Sequence, residues 1–483
     1  MKRKTMRRLC AAASLTLVAS LCVGCTGSNT ESVTLNPADY ETDEAFITFA
    51  DGTPNAQDVD AIAMYRDLGM NTFLLTEDYV PFVENGTLSS SYGELIKNIE
   101  SQGLDVWIRN MYNDEDYFQN DAHKKGSNYG SPYEINERNI TSEFDQYEAV
   151  TGFYMADEPF MTTLPDLATT PEQDESLFAA MDKLGKLVEW KNTYYPDEYW
   201  HMNHVPSSSW DHYYSYTYQE FLQYYVDNII AKLEGGGKSL CLDRYPLVDG
   251  GGVIHDSFLS DILTGAIVTR DYNATVSGEE EKLDYGICLQ TFQDTNLGLR
   301  DITSTADVTF QMYSGMACGA ELFEYFVYRS YEGMGLFGIT DEAGEKRIYD
   351  YVKEANDKAL PFSKVICAFD WQGLAAVRGE SSGKDDVFAS VSGLLLDETG
   401  VMTGMTSRYD TIAGYFTQGE QDGYMVVNFT APDLNQTNVV TLDFEGCSQA
   451  IVYTSEGTET VNLVDGQLRL TLAAGEGAFV IPA

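Results

Sequence analysis

Basic residues are scarce in this chain of 483 residues, where 30 Lys and Arg stand against 75 Asp and Glu. A surface this acidic repels phosphate backbones and anionic headgroups, which excludes nucleic acid and acidic membrane surfaces as partners. Histidine is nearly as rare, with five in all, and neither a paired CxxC nor an HExxH occurs. Only His201 and His204 lie close together, and their run reads as a strand, where an i, i+3 pair points to opposite faces. No metal and no other cofactor is expected. A G-x-S-x-G elbow is also missing, which removes the usual sign of a serine hydrolase. Outside the first 25 residues the cysteines are Cys241, Cys288, Cys318, Cys367 and Cys447, an odd, widely spaced set mostly in apolar runs. Free, buried thiols are the expectation.

Apolar runs are short throughout. The first, AAASLTLVASL, follows Lys2, Arg3, Lys4, Arg7 and Arg8. It is too short to span a bilayer and reads as a secretory h-region. It ends in LCVGC, which resembles the lipobox of bacterial lipoproteins, and the resemblance implies that Cys25 is lipidated and becomes the first mature residue. Residues 1–25 are thus read as the signal and residues 26–43 as a flexible polar tether. The expected location is the cell surface, with contact to the membrane through the lipid alone. Removing the five basic leader residues leaves 25 against 75 acidic ones, a net charge of about −50. The acids are spread along the chain, and 43% hydrophobic content argues for a folded protein. Abundant aromatics, including 32 Tyr, suit neutral polyhydroxylated ligands, because rings cover apolar sugar faces.

From residue 44 onward, strand-like runs alternate with helical patterns. The runs are FITFA, NTFLLTE, LDVWIRN, TGFYMADEPF, YWHMNHV, SLCLDRYP, YGICLQTFQ and ELFEYFVYR. Eight βα units over residues 44–366 have the count and size of a (β/α)8 TIM barrel. A doubly wound sheet is the alternative, but no Gly-rich phosphate loop follows the first strand. Helices are expected near 92–102, 141–149, 173–191, 217–233, 257–270, 305–318 and 342–358. Past residue 370 the helical period stops, and VFASVSGLLL, GYFTQGEQDGYMVVNF, NVVTLDFEG, AIVYTSEG and LRLTLAAGEGAFVIP read as strands of a small antiparallel β-sandwich over 370–483.

In such a barrel, chemistry gathers where the strands end. These ends carry Asp51, Glu77 and Asp78, Arg109 and Asn110, Asp157 and Glu158, Asn203 and His204, Asp243 and Tyr245, Gln290 and Gln293, then Tyr328 and Arg329. Each strand interior stays apolar up to these groups. Glycosidic cleavage needs one carboxylic acid to protonate the leaving oxygen and a second carboxylate as nucleophile or base. Glu158 suits the acid: Phe153, Tyr154 and Met155 precede it and Asp157 adds like charge, both of which raise a carboxyl pKa. Arg109, Asn110, Asp157, Asn203, His204, Tyr245, Gln290 and Tyr328 are the candidate sugar-binding groups.

The run GFYMADEP resembles the end of the fourth strand in clan-A glycoside hydrolases, especially bacterial beta-galactosidase-like barrels. MYRDLGMNTFLL, ESQGLDVWIRN, LDRYP and FQMYSGMACGAELFEYFVY are similar in the same order, so the likeness covers most of residues 44–330. The resemblance implies a (β/α)8 fold, a carbohydrate substrate and Glu158 as acid/base. It also implies a nucleophilic Glu at the end of the seventh strand, where this chain has Gln290 and Gln293. Asp243 is the preferred second carboxylate, with Asp294, Glu321 and Glu324 as further candidates and a structural pairing of Asp243 with an arginine such as Arg109 as its other reading. The ends of strands four and six begin roughly 10 Å apart, with the wider, inverting separation favoured. The expectation is a metal-independent, surface-anchored hydrolase of a neutral oligo- or polysaccharide. The alternative is a glycan-binding lipoprotein on a degenerate barrel.

Overall fold

The structure is a computed structural model and describes residues 35–76, 83–84, 87–88, 90–109, 143–158, 184–185, 187–207, 216–379 and 387–483. Eight strands form one parallel sheet: β1 (Ile47–Ala50), β2 (Thr72–Leu75), β3 (Asp105–Arg109), β4 (Val150–Asp157), β5 (Tyr199–His204), β6 (Ser239–Asp243), β7 (Asp284–Gln290) and β8 (Leu322–Phe326). Their order is β1-β8-β7-β6-β5-β4-β3-β2, so chain order is kept around the sheet. The seam between β1 and β2 is stitched by Asn71, whose Oδ1 accepts from Thr48 N at 3.0 Å and whose Nδ2 donates to Phe46 O at 2.6 Å. Thr53 Oγ1 donates across the same seam to Leu74 O.

The barrel interior is filled, as eight parallel strands require. Phe49, Leu74, Trp107, Tyr154, Tyr199, Cys241 and Leu322 form one buried cluster. Trp107 and Tyr199 stack at 4.8 Å across Gly152, where a Cβ would lie 2.6 Å from the Trp107 ring nitrogen. A side chain at 152 would therefore part the stack. A larger apolar layer lies between the strands and helices α1 (Val59–Asp67), α2 (Ser90–Ser101), α3 (187–194), α4 (Tyr218–Asn228), α5 (Phe258–Asn273), α6 (Thr305–Ala317) and α7 (Tyr349–Ala359). Asp58 caps α1 by accepting from Asp60 N and Ala61 N, and Thr217 with Glu220 forms a capping box on α4.

Two expected helices shrink. Residues 141–149 supply only the 3-10 turn Glu143–Gln146, in which Tyr147 N reaches back to Phe144 O. The last helix begins at Tyr349 rather than 342, because Arg347 ties the preceding turn to Phe337 O, Gly338 O and Asp301.

The C-terminal strands are β9 (Asp370–Val377), β10 (Met402–Ser407), β11 (Thr411–Gln418), β12 (Gln421–Asn428), β13 (Asn438–Phe444), β14 (Gln449–Thr454), β15 (Gly457–Asn462), β16 (Gln467–Leu472) and β17 (Gly477–Pro482). They make antiparallel sheets of order β9-β11-β12-β17-β14-β15 and β10-β13-β16, which share an inner apolar layer. The chain is thus a (β/α)8 barrel followed by a β-sandwich. The expected hairpin is β11–β12, turning at Gly419 with φ 62°. VFASVSGLLL is not a strand: it holds the 3-10 turn Ala389–Val391, and Phe388 packs on Phe429. The segment expected as a tether is packed from residue 35 on, where Thr42 N donates to Lys364 O and Tyr453 donates to Pro37 O. Cys25 lies outside the described residues.

Candidate active site

At the C-terminal end of the barrel, Arg109 joins two carboxylates. Its Nη1 reaches both oxygens of Asp51 at 2.9 and 3.0 Å, and its Nη2 reaches Asp157 at 3.2 Å. Burial opposes the guanidinium charge, but the carboxylates of Asp51 and Asp157 outweigh it and raise Arg109 above its ordinary pKa. Burial also raises the Asp157 carboxyl against the pull of Arg109, with Asp51 adding to the rise. Tyr154 and Asn203 donate to the other Asp157 oxygen, at 3.1 and 3.5 Å. Asp157 is thereby a fixed post for the residue that follows it.

That residue is Glu158. Its φ of 42° is left-handed, a conformation few non-glycine residues adopt, and Pro159 follows. Its amide donates to Asn203 O at 2.9 Å, which fixes the turn to β5. Such strain costs of order 1–3 kcal/mol and persists where the surroundings hold it. Here it lifts a carboxyl off the end of β4 toward β6. Asp243, the last residue of β6, is hydrogen-bonded to Glu158 and to the Tyr245 hydroxyl. Burial, reinforced by Asp157, pushes Asp243 up to about 7 against these bonds and the Arg244 charge. Its Oδ1 is buried with no hydrogen-bond partner among the described residues. Arg244 is turned away, bonded to Asp261, His255 and Ser257. Asp243 is therefore paired with a carboxyl and not, as its other reading had it, with Arg109. A carboxyl held near neutral beside a second carboxyl can exchange a proton in the pH range where acid and base catalysis work. Beside the pair, Tyr245 meets Phe292 edge-on at 4.8 Å and stacks near Phe326 at 6.3 Å, an aromatic floor.

Three expected cleft residues face elsewhere. Along β5, Tyr199, His201 and Asn203 point into the barrel, so His204 points out and meets Tyr225 at 4.3 Å on α4; burial lowers it to about 3. Tyr328 is 2% exposed and packs on Tyr65 of α1, which leaves its neighbour Arg329 facing the barrel mouth. Gln290 accepts from Leu247 N and donates to Leu247 O, Phe292 O and Arg300 O, so its amide is consumed in latching two loops. Asn110, Glu77 and Asp78 lie outside the residues whose side chains are described. Of the other carboxylates, Asp294 closes its own turn onto Asn296 N, and Glu321 precedes β8 at the opposite barrel end.

Glu324 lies on β8 beneath the site and is 1% exposed. It accepts from Tyr154 at 3.2 Å, and its second oxygen lies 3.3 Å from His201 Nε2 and 3.8 Å from Cys241 Sγ. His201, Cys241 and Glu324 have the donor types of a zinc site within 4.8 Å of one another. Burial keeps Glu324 and Cys241 strongly toward their protonated forms and His201 toward neutral, and the three satisfy one another as a core cluster. The sequence hid this trio because each member comes from a different strand. Cys241, Cys288, Cys318, Cys367 and Cys447 are all free.

A cavity of about 530 Å³ opens next to Arg109, between the ends of β1 and β2 and the segment after β8. No protein-family model matches the chain, and no curated protein matches it. Two of the solved structures that are similar in fold carry a TM-score above 0.5 and cover most of this chain. A catalytic mutant of a GH42 beta-galactosidase from G. stearothermophilus is 9% identical with a TM-score of 0.56, over 91% of this chain and 98% of that one. A beta-galactosidase from Bacillus circulans sp. alkalophilus is 9% identical with a TM-score of 0.52, over 91% and 99%. The likeness is one of fold. It agrees with the barrel and trailing strands read from the sequence, and it leaves function to the site itself.

Proposed function

We propose that this chain is a glycoside hydrolase that cleaves O-glycosidic bonds of an oligo- or polysaccharide, with Glu158 as general acid and Asp243 as its partner carboxylate. The observation that carries the reading is the Glu158–Asp243 pair at the barrel mouth, with Asp243 raised to about 7. Two neighbouring carboxyls, one of them raised toward neutral, are what protonating a leaving oxygen and activating an attacking group require. The chemistry needs no metal. The partly exposed rings of Tyr245 and Phe326, backed by buried Phe292, suit an apolar sugar face. The two structures of similar fold are both named beta-galactosidases.

Catalysis requires about 5–5.5 Å between the two carboxyls for direct attack or about 6.5–9.5 Å for a water. The entering sugar breaks the Glu158–Asp243 bond and takes its place. Glu158 then passes its proton to the glycosidic oxygen, and Asp243 attacks the anomeric carbon or takes a proton from the attacking water. Asp157, tied to Arg109, Tyr154 and Asn203, holds the strained turn that presents Glu158.

The LCVGC end of the leader supports lipidation at Cys25 and placement on the cell surface. A second reading, a glycan-binding lipoprotein without turnover, is favoured by the end of β7, where Gln290 and Gln293 stand in place of the expected carboxylate. A panel of aryl α- and β-glycosides decides between them. Turnover that disappears in Glu158→Gln supports the hydrolase, whereas sugar binding without turnover of any member supports the second reading.

A further inference from the structure

The cavity beside Arg109 has a charge balance unlike the rest of the molecule. Its ionisable walls are Asp51, Arg109 and Arg329, two cations against one anion, in a chain with 75 acidic and 30 basic residues. Arg109 is consumed by Asp51 and Asp157. Arg329 is not: its backbone bridges to Thr340, and its side chain has no ion pair or hydrogen bond among the described residues. It is half-buried in the cavity wall and offers a five-donor group there. Tyr331, 40% exposed, forms an aromatic wall beside it. Gly52, at φ 66°, makes room for that wall, since a Cβ there would lie 2.6 Å from Val327 and 3.3 Å from the Tyr331 hydroxyl. A guanidinium without a partner among the described residues, next to an aromatic ring at a barrel mouth, is suited to an anionic group carried on a sugar.

We propose that this cavity is a subsite for an anionic sugar residue, in which Arg329 binds the charged substituent and Tyr331 covers the ring. The inference rests on the glycoside reading for its ligand class and replaces the neutral substrate expected from the aromatic content. Global acidity sets long-range repulsion, but a partly desolvated arginine in contact sets local preference. Arg109 joins the cavity to Asp157, next to Glu158, so the anionic residue adjoins the reacting bond.

The substituent is a uronate carboxylate or a sulfate ester, and calorimetry on the full chain separates them. The ligands are galacturonate, galactose 6-sulfate and galactose, each in about 20 mM and about 500 mM salt. At low salt the better anionic sugar should bind roughly tenfold to a hundredfold more tightly than galactose, the range of one or two charge-assisted bonds. High salt should narrow the gap, and Arg329→Ala should erase it. Arg329→Lys should keep part of the preference, and Arg329→Gln serves if the alanine variant does not fold. Tighter galacturonate identifies the carboxylate; tighter galactose 6-sulfate identifies the ester. Equal affinity for all three sugars, or a preference that survives loss of the Arg329 charge, overturns the subsite. Arg329-dependent anion binding in a chain that hydrolyses no glycoside leaves the subsite and removes the hydrolase. Hydrolysis of neutral glycosides at an unchanged rate in Arg329→Ala, with no anion preference, does the opposite.

Discussion

Replacing Asp243 by Asn should stabilise the folded chain at alkaline pH and not at acid pH. Burial raises the Asp243 carboxyl from 3.8 to about 7 on folding. The folded chain thus holds this proton more tightly than the unfolded one. The stabilisation is fully present below about pH 4 and is lost as pH rises through about 7. At about 1.4 kcal/mol per pH unit, the whole change amounts to about 4 kcal/mol. Between pH 5 and pH 8 the part expected is roughly 2–3 kcal/mol, nearer 2 because the residue is half-buried and keeps its bond to Glu158. Asn keeps the shape but cannot ionise, so the variant escapes this loss. Urea unfolding followed by circular dichroism at both pH values measures the difference. An Asp243→Asn advantage that is the same at pH 5 and pH 8 would refute the raised carboxyl, and with it the proton exchange on which the acid and base roles depend.

Glu158→Gly should leave stability unchanged or raise it by up to about 1 kcal/mol, because glycine accepts the φ of 42° at no steric cost, while turnover is lost; thermal melts beside a glycoside assay check both halves. Arg109→Ala strands the Asp51 and Asp157 carboxylates, with side chains 10% and 30% exposed, and should cost about 2 kcal/mol at neutral pH and less in acid as they take up protons. Denaturant midpoints at pH 7 and pH 4 test it. Cys25→Ser should release the protein or leave it unprocessed in a bacterial host, and unchanged lipid labelling would refute the anchor.

The barrel strands were legible because each is a short apolar run that stops at a polar residue, and the apolar stretch is what the interior demands. The β9 and β10 runs, DWQGLAAV and MTGMTS, escaped notice because their exposure alternates weakly, so hydrophobic pattern gives no signal. Glu158 and Asp243 were both marked in the sequence by their position after an apolar run. Their direct contact was not, since it depends on the positive φ at Glu158, which a sequence does not announce. His204 and Tyr328 were misassigned for one reason: position at a strand end does not fix which side of the sheet a residue faces. A one-residue change of parity moves the cleft role from Tyr328 to Arg329. Gln290 was placed at the right end of β7, but loop latching uses all of its hydrogen-bonding capacity.

The proposed hydrolysis depends on Glu158 supplying a proton to a leaving sugar oxygen. Its most direct test compares wild type and Glu158→Gln on two glycosides of one sugar, an alkyl glycoside and a dinitrophenyl glycoside, by kcat/KM at neutral pH. A poor leaving group needs the proton and a good one does not, so the variant should lose roughly a hundredfold to ten-thousandfold on the alkyl glycoside and far less on the dinitrophenyl one. Equal losses on both substrates, or none on either, would contradict the assignment.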